Sequence, residues 1–375
     1  MIKWSPFSLE RACLAAPLSE SVAFSDNGPF LHVSGKLPLK VRIEPSGHEY
    51  DTAPGETILE AALREGFHLP YSCRNGACGT CKGRIVSGTV VHKEYEPKAL
   101  SAAERASGKA LFCRAVPQDP VVIEAREIGV AKDIIIKTLP CRVARMENLA
   151  PDVMRLLLTL PQNERLQYLA GQYVDILLKD GRRRGFSLAN APSDDEFLEL
   201  HIRHVVGGLF SGHVFQAMKE RALLRFEGPL GTFFLREDST APAILVAGGT
   251  GFAPMKAIIE QAFHTESKRP LHLYWGARTR TDLYLHDLAL AWAQKYPHFH
   301  YTPVLSQSLP ADKWTGRVGF VHAAVAADLA DFSGHEVYAS GPPQMIEAAK
   351  EVFQNHGLRG DAFYYDAFSY AKDPV

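Results

Sequence analysis

Four of the six cysteines in this 375-residue chain stand where they could share one inorganic centre. Cys73, Cys78 and Cys81 lie in YSCRNGACGTC with C-x4-C-x2-C spacing, and Cys113 stands alone in LFCRA. Thiolates spaced in this way can wrap one loop around two irons and take a fourth ligand from a distant segment, as a [2Fe-2S] cluster requires. A structural zinc usually draws on two short cysteine pairs, and here the fourth thiol is solitary. Gly76 and Gly79 suit such a loop, since they permit positive φ and let backbone N–H groups approach sulfur. Cys13 and Cys141 have no comparable company and read as small buried hydrophobes.

A second set of residues could hold a flavin, which needs an aromatic face, a hydroxyl near N5, a cation for its phosphates and a helix N-terminus for anionic oxygen. Arg184-Gly185-Phe186-Ser187, His201-Ile202-Arg203 and Gly207-Gly208-Leu209-Phe210-Ser211 supply all four between them. Ser211 before GHVFQAM reads as an N-cap, and Phe186 taken singly reads equally as a core aromatic of a strand. A third set lies in AILVAGGTGFAPMKAII, where a buried strand, a glycine turn and a helix would let Gly249, Thr250 and Gly251 admit a pyrophosphate. Pro254 breaks the G-x-G-x-x-G pattern and argues against an ordinary Rossmann dehydrogenase. Arg278 and Arg280 follow the next strand with no acid at its tip to grip a ribose hydroxyl. They read either as a 2′-phosphate contact or as a solvated face.

Residues 38–127 resemble a plant-type ferredoxin domain, which implies a β-grasp fold and one-electron transfer at low potential. The rest resembles the ferredoxin-NADP reductase superfamily through R-x-[YF]-[ST] at Arg184 to Ser187, G-x-x-S at Gly208 to Ser211 and G-G-T-G-x-x-P at Gly248 to Pro254. That likeness implies that Arg184 holds flavin phosphate, Phe186 packs on the isoalloxazine and Ser187 lies near N5. It places His201, Ile202 and Arg203 at the ring edge and Gly207, Gly208 and Ser211 around phosphate. In VYASGPPQM it places Ser340, Gly341 and Pro342 beside the nicotinamide, with Ser340 where many relatives carry cysteine. In GDAFYYDAF, Phe368 or a neighbouring tyrosine would shield the flavin. Ser187, Ser340 and Phe368 are therefore the residues expected at the point of hydride transfer.

The order cluster, flavin, nicotinamide resembles the reductase components of bacterial ring-hydroxylating and soluble multicomponent oxygenases. The likeness extends to proteins of the CDP-6-deoxy-3,4-glucoseen reductase type, notably in LPCRVARMENLAPDVM and LELHIRHVVGGLFSGHVF. It implies an NAD(P)H-dependent oxidoreductase carrying a [2Fe-2S] cluster and FAD, with FMN the less favoured flavin and NADH favoured over NADPH. Hydride would pass to the flavin and single electrons to the cluster, then to a partner protein such as a terminal oxygenase or dehydratase. The alternatives are a flavin reductase that releases reduced flavin, which would leave the cluster idle, and a non-catalytic redox sensor, which would leave the nicotinamide motifs unused.

The elements that must position these residues form a multidomain α+β and α/β chain. Residues 1–37 lack periodicity and read as an extension of unknown role. Strand-like KVRIEP and HEYDTA, helical TILEAALREG and later strands GRIVSG and VVIEA make an α+β ferredoxin unit over 38–127. After a connector, strands at short intervals through 138–238 suggest an antiparallel, flavin-binding β-barrel. From 239 to 375, buried strands alternate with helices, which predicts a doubly wound parallel sheet binding NAD(P). With 41 basic and 42 acidic residues dispersed along the chain, no basic block invites nucleic acid. No apolar run approaches a membrane span and six cysteines are too few for a disulfide scaffold, so the reading is cytoplasmic, with no membrane partner.

Overall fold

The computed structural model describes residues 38–129 and 134–368. The extension expected over 1–37 lies outside the described residues, as does part of the connector. Among the described residues no helix is long and apolar enough to cross a membrane.

The first unit contains β1 (Leu39–Glu44), β2 (Glu49–Thr52), α1 (Ile58–Arg64), β3 (Lys82–Ser87), β4 (Val90–His92), α2 (Ala102–Ala106), β5 (Lys109–Leu111), β6 (Ala115–Pro117) and β7 (Val121–Glu124). Its main sheet runs β2-β1-β7-β3-β5, with β1 and β7 parallel, and β4 pairs with β6 apart from it. α1 opens on a reciprocal cap, Glu60 N–H donating to Thr57 Oγ1 at 3.2 Å and Thr57 N–H to Glu60 Oε2 at 2.9 Å. Two donors that a helix start leaves open are thereby satisfied. Ile58, Leu59, Ala61 and Ala62 are buried, so the helix turns its apolar stripe to the core that also holds Val41 and Ile123. β4, β5, β6 and α2 are too short to show a period in the sequence.

The second unit contains β8 (Lys137–Ala150), β9 (Val153–Thr159), β10 (Tyr173–Leu177), β11 (Arg183–Ser187), β12 (Leu198–Arg203), α3 (Leu209–Gln216) and β13 (Leu223–Leu230). The strands form one antiparallel sheet in the order β11-β10-β13-β8-β9-β12. A bridge between Leu188 and Leu200 joins its two edges and closes the barrel. Val143, Leu156, Val174, Leu200 and Phe226 are fully buried within it. Tyr173 and Leu230, by contrast, join the core of the first unit.

The third unit contains β14 (Ala243–Gly248), α4 (Phe252–His264), β15 (Leu271–Ala277), α5 (His286–Lys295), β16 (Phe299–Leu305), β17 (Arg317–Val318), α6 (Val321–Asp328), β18 (Glu336–Gly341), α7 (Pro343–Asn355) and β19 (Phe363–Ala367). All pairings are parallel in the order β17-β16-β15-β14-β18-β19. Every residue of β14 and β18 is buried, as expected of central strands covered on both faces. One face packs α4 and α5 through Phe252, Ile259 and Trp292. The other packs α6 and α7 through Val325 and Phe353. Strand order reverses between β14 and β18, and the crevice at the carboxyl ends of such strands is where open α/β sheets take ligands.

Candidate functional site

The four cysteines come together at one edge of the first unit. Cys73, Cys78 and Cys81 lie in the loop before β3, and Cys113 falls in the turn between β5 and β6. The thiols associate two by two, Cys73 with Cys78 and Cys81 with Cys113. Among the described residues no three His, Cys, Asp or Glu side chains converge as they would for a single ion. The two pairs match a two-iron cluster, in which each iron takes two protein ligands. Backbone N–H groups already point at sulfur, Cys78 to Cys73 Sγ at 3.3 Å and Thr80 to Cys78 Sγ at 3.5 Å. Gly76 has φ +82°, and a Cβ there would sit 2.7 Å from Tyr95 Cβ, so the loop closes only around glycine.

β11 carries the expected flavin residues. Arg184 and Phe186 share one face of the strand, and Gly185 and Ser187 the other. The Phe186 ring lies 5.3 Å from Phe210 of α3. Ser187 is buried, and its Oγ lies 3.4 Å from Asp366 Oδ2. On β12, Ile202 is a core residue, while His201 and Arg203 reach the cavity wall. Gly208, and not Ser211, is the N-cap of α3. Ser211 sits inside the first turn, where its hydroxyl accepts the Val205 N–H at 3.1 Å and lies 3.3 Å from Val205 O. The sequence misleads because the chain folds back at Gly207, φ +77°, and begins the helix two residues before Ser211. Donors for an anion at this point are therefore backbone N–H groups of the first turn.

At the switch point, Gly249–Gly251 forms a 3-10 turn leading into α4, and Pro254 lies in the first helical turn, where its missing donor costs nothing. A Cβ on Gly251 would fall 2.0 Å from Ser340 O. A Cβ on Gly341, at φ +146°, would fall 3.0 Å from Gly248 O. Pro342 caps α7. Ser340 is fully buried, and its hydroxyl finds no hydrogen-bond partner among the described residues. Phe368 N–H donates to Gly341 O at 2.9 Å, which ties the end of β19 to the same crevice. Arg278 Nη2 lies 3.3 Å from Asp282 Oδ1 and 3.7 Å from Asp152 Oδ2. Asp282 also accepts the Thr279 N–H at 3.1 Å, so an acid does stand beyond β15, already engaged.

One cavity of about 1020 Å³ joins these parts, its wall including Cys73, Cys113, Phe186, His201, Thr250 and Phe368. Its size suits a large cofactor. Asp366, to which no motif assigns a role, lines the same cavity between the parts. It is buried, accepts the Ser72 hydroxyl at 2.6 Å, and so links the cysteine loop to Ser187. Burial raises its pKa. A second unanticipated group lies between barrel and nucleotide unit. Lys256 Nζ donates to Ala189 O at 3.1 Å, Glu199 Oε2 at 3.2 Å and Glu260 Oε2 at 3.0 Å. Glu199 Oε1 in turn lies 2.8 Å from His201 Nε2, and His201 Nδ1 lies 3.0 Å from the Tyr284 hydroxyl. Burial lowers the His201 pKa. Charged residues inside apolar strands, Glu199 in LELHI and Asp366 in FYYDA, were the available signal.

A two-pair cysteine loop set against a closed antiparallel barrel and a parallel sheet with a glycine crevice defines an iron-sulfur flavoprotein reductase. Family models agree along the chain: a 2Fe-2S iron-sulfur cluster binding domain matches residues 41–118, an oxidoreductase FAD-binding domain 140–235 and an oxidoreductase NAD-binding domain 245–351. The chain is 41% identical over 336 residues to CDP-6-deoxy-L-threo-D-glycero-4-hexulose-3-dehydrase reductase of Yersinia pestis, covering 90% of this chain and 100% of that one. It is 36% identical to the phenol 2-monooxygenase reductase component DmpP of Pseudomonas sp. strain CF600, covering 90% and 96%. Among solved structures, the Amycolatopsis cytochrome P450 reductase GcoB superposes with a TM-score of 0.73 at 35% identity, over 88% of this chain and 98% of that chain. The chain belongs to the family of NAD(P)H-dependent iron-sulfur flavoprotein reductases with [2Fe-2S], FAD- and NAD-binding domains.

Proposed function

We propose that this reductase serves a separate protein acceptor in the cytoplasm, and that the acceptor is a dehydratase acting on a nucleotide-linked deoxyhexulose. The 41% identity to the Yersinia reductase, against 36% to the phenol 2-monooxygenase component over the same 90% of this chain, favours that acceptor over a terminal oxygenase. The observation that carries the reading of the site is the single cavity running from Cys73 to Thr250. The working modules are residues 38–127, 138–238 and 239–375. Cys73, Cys78, Cys81 and Cys113 would hold the cluster. Arg184 and the first turn of α3 would take flavin phosphate, and Phe186 would pack on the ring. A flavin bound there would accept a hydride from the nicotinamide and release electrons singly, the conversion that neither other group can make.

The chain's own residues orient and exclude. Ser187, backed by Asp366, offers a fixed hydroxyl from a buried site. Gly251, Gly341 and Pro342 let the two strand ends approach closely enough to form a narrow crevice. Phe368, anchored on Gly341 O, covers the cavity until a nicotinamide enters. The test is anaerobic stopped-flow with NADH followed by reconstitution with purified acceptors. Cluster bleaching on NADH addition and turnover with a sugar dehydratase, but not with an aromatic-ring oxygenase, is expected. Turnover with the oxygenase alone would overturn the proposed acceptor, and a protein that NADH leaves oxidised would overturn the reading of the site.

A further inference from the structure

Arg74 stands between the first two cysteines, and both carboxylates that its guanidinium bonds belong to the barrel. Nη2 donates to Asp175 Oδ2 at 2.6 Å and Nη1 to Glu227 Oε1 at 3.0 Å. Asp175 on β10 lies directly opposite Gly185 on β11 and Glu227 on β13, so three adjacent strands present one row of Gly185, Asp175 and Glu227. Two carboxylates side by side across strands repel each other. Arg183 answers part of that charge, its Nη1 lying 2.8 Å from Glu227 Oε2. The more deeply placed cation comes from the cysteine loop, since the Arg74 side chain is 24% exposed and that of Arg183 46%. Gly185 keeps the place open, because a Cβ there would meet Asp175 Oδ1 at 3.3 Å.

Arg74 also holds φ 56°, a left-handed backbone that a residue with a side chain keeps only where its surroundings impose it. The neighbouring contacts are hydrogen bonds made along the same seam. Tyr71 N–H donates to Thr232 Oγ1 at 3.0 Å, and the Tyr173 hydroxyl donates to Ser72 O at 2.5 Å. These fix where the loop's backbone lies, and the guanidinium fixes its rotation over the carboxylate row.

We propose that Arg74 is a positioning residue for the electron step between flavin and cluster, a two-pronged clamp that seats the cysteine loop on the paired carboxylates Asp175 and Glu227. The proposal rests on the reading of cluster and flavin sites given above. It gives the otherwise unfavourable pairing of Asp175 with Glu227 a purpose, since Arg183 answers only part of that charge and the docked loop supplies the more deeply placed cation.

The test uses the cofactor-loaded protein and two variants, Arg74→Gln and Asp175→Asn combined with Glu227→Gln. Flavin reduction by NADH and ferricyanide turnover should stay within about two-fold of wild type in both. Cluster reduction should slow by about ten-fold or more, because freeing the loop changes both the distance and the orientation between the reacting groups. Hydrogen exchange of residues 71–81, measured without NADH, should quicken in both variants. Cluster reduction at the wild-type rate in both variants overturns the proposal, as does unchanged exchange. Should Arg74→Gln lose iron, the barrel variant, whose changes lie outside the cysteine loop, decides alone. A wild-type protein that never reduces its cluster would sink the functional reading instead, and the clamp would then stand or fall on the exchange result.

Discussion

Replacing Lys256 by methionine tests whether the buried charges between barrel and nucleotide unit hold those units together. Lys256, Glu199 and His201 are 6%, 7% and 5% exposed, so solvent screens them little. Burial alone would push the Glu199 pKa up, yet hydrogen bonding and charge from His201 and Lys256 outweigh it and bring the carboxyl from 4.5 to about 2. A shift of that size corresponds to about 3 kcal/mol of folded-state stability, shared between Lys256 and His201. Methionine matches the length of lysine but removes the charge and three hydrogen bonds, leaving the buried Glu199 and the half-buried Glu260 without their shared cation. The expected cost is about 3–5 kcal/mol, as for other buried pairs that lose one partner.

Urea unfolding followed by tryptophan fluorescence is a direct assay, because Trp275 and Trp292 are both buried in the unit that α4 supports. The triple variant Lys256→Met, Glu199→Gln, Glu260→Gln should recover most of the loss, since removing all the charges leaves none unpaired. The sign of the pH dependence is fixed. Glu199 has a depressed folded pKa, so its contribution is complete above 4.5 and disappears as the pH falls from there towards about 2. His201, also depressed, adds stability above 6.5 that fades as the pH falls below that value. Wild type should therefore weaken steadily on acidification, and Glu199→Gln should flatten the lower limb. A Lys256→Met protein within about 1 kcal/mol of wild type at pH 7 would refute this account.

Cys78→Ser should bleach the visible cluster absorbance while sparing NADH-driven ferricyanide reduction, because hydride reaches the flavin first; loss of both activities in a folded variant would count against the modular path. Phe186→Ala should weaken flavin binding by about 1–3 kcal/mol through lost stacking, measured by flavin titration, and unchanged affinity would mean that the ring lies elsewhere. NADH should be preferred over NADPH by about ten-fold in kcat/KM, because Asp282 and Asp152 already answer the Arg278 charge and would repel a 2′-phosphate. A steady-state preference for NADPH, abolished in Arg278→Ala, would reverse that assignment.

What the sequence made legible was chemistry confined to single segments. Three of the four thiols share one loop, and the glycine turn after β14 is flanked by the strand and helix that give it meaning. The alternation of buried strands with helices is enough to expect the parallel sheet, whereas Gly228 and Pro229 interrupt the alternating pattern of β13. Ser211 looked like a cap because a serine before a helical run usually is one, and only the backbone reversal at Gly207 hands that position to Gly208.

The residues that join the units were illegible for a different reason. Arg74 meets Asp175 and Glu227 across 101 and 153 positions, and Ser72 meets Asp366 across 294, and no local period encodes such pairings. Each nevertheless left a trace: a charged residue where the pattern called for an apolar one, as with Asp175 in YVDIL, Asp366 in FYYDA and Lys256 in APMKAII. An ionised group in a buried strand or helix face must find a partner or lose its charge. When the segment itself supplies no partner, the partner must come from another unit. Those three residues therefore mark the seams along which cluster, flavin and nicotinamide sites are brought to one cavity, and the seams in turn set the distances on which electron transfer depends.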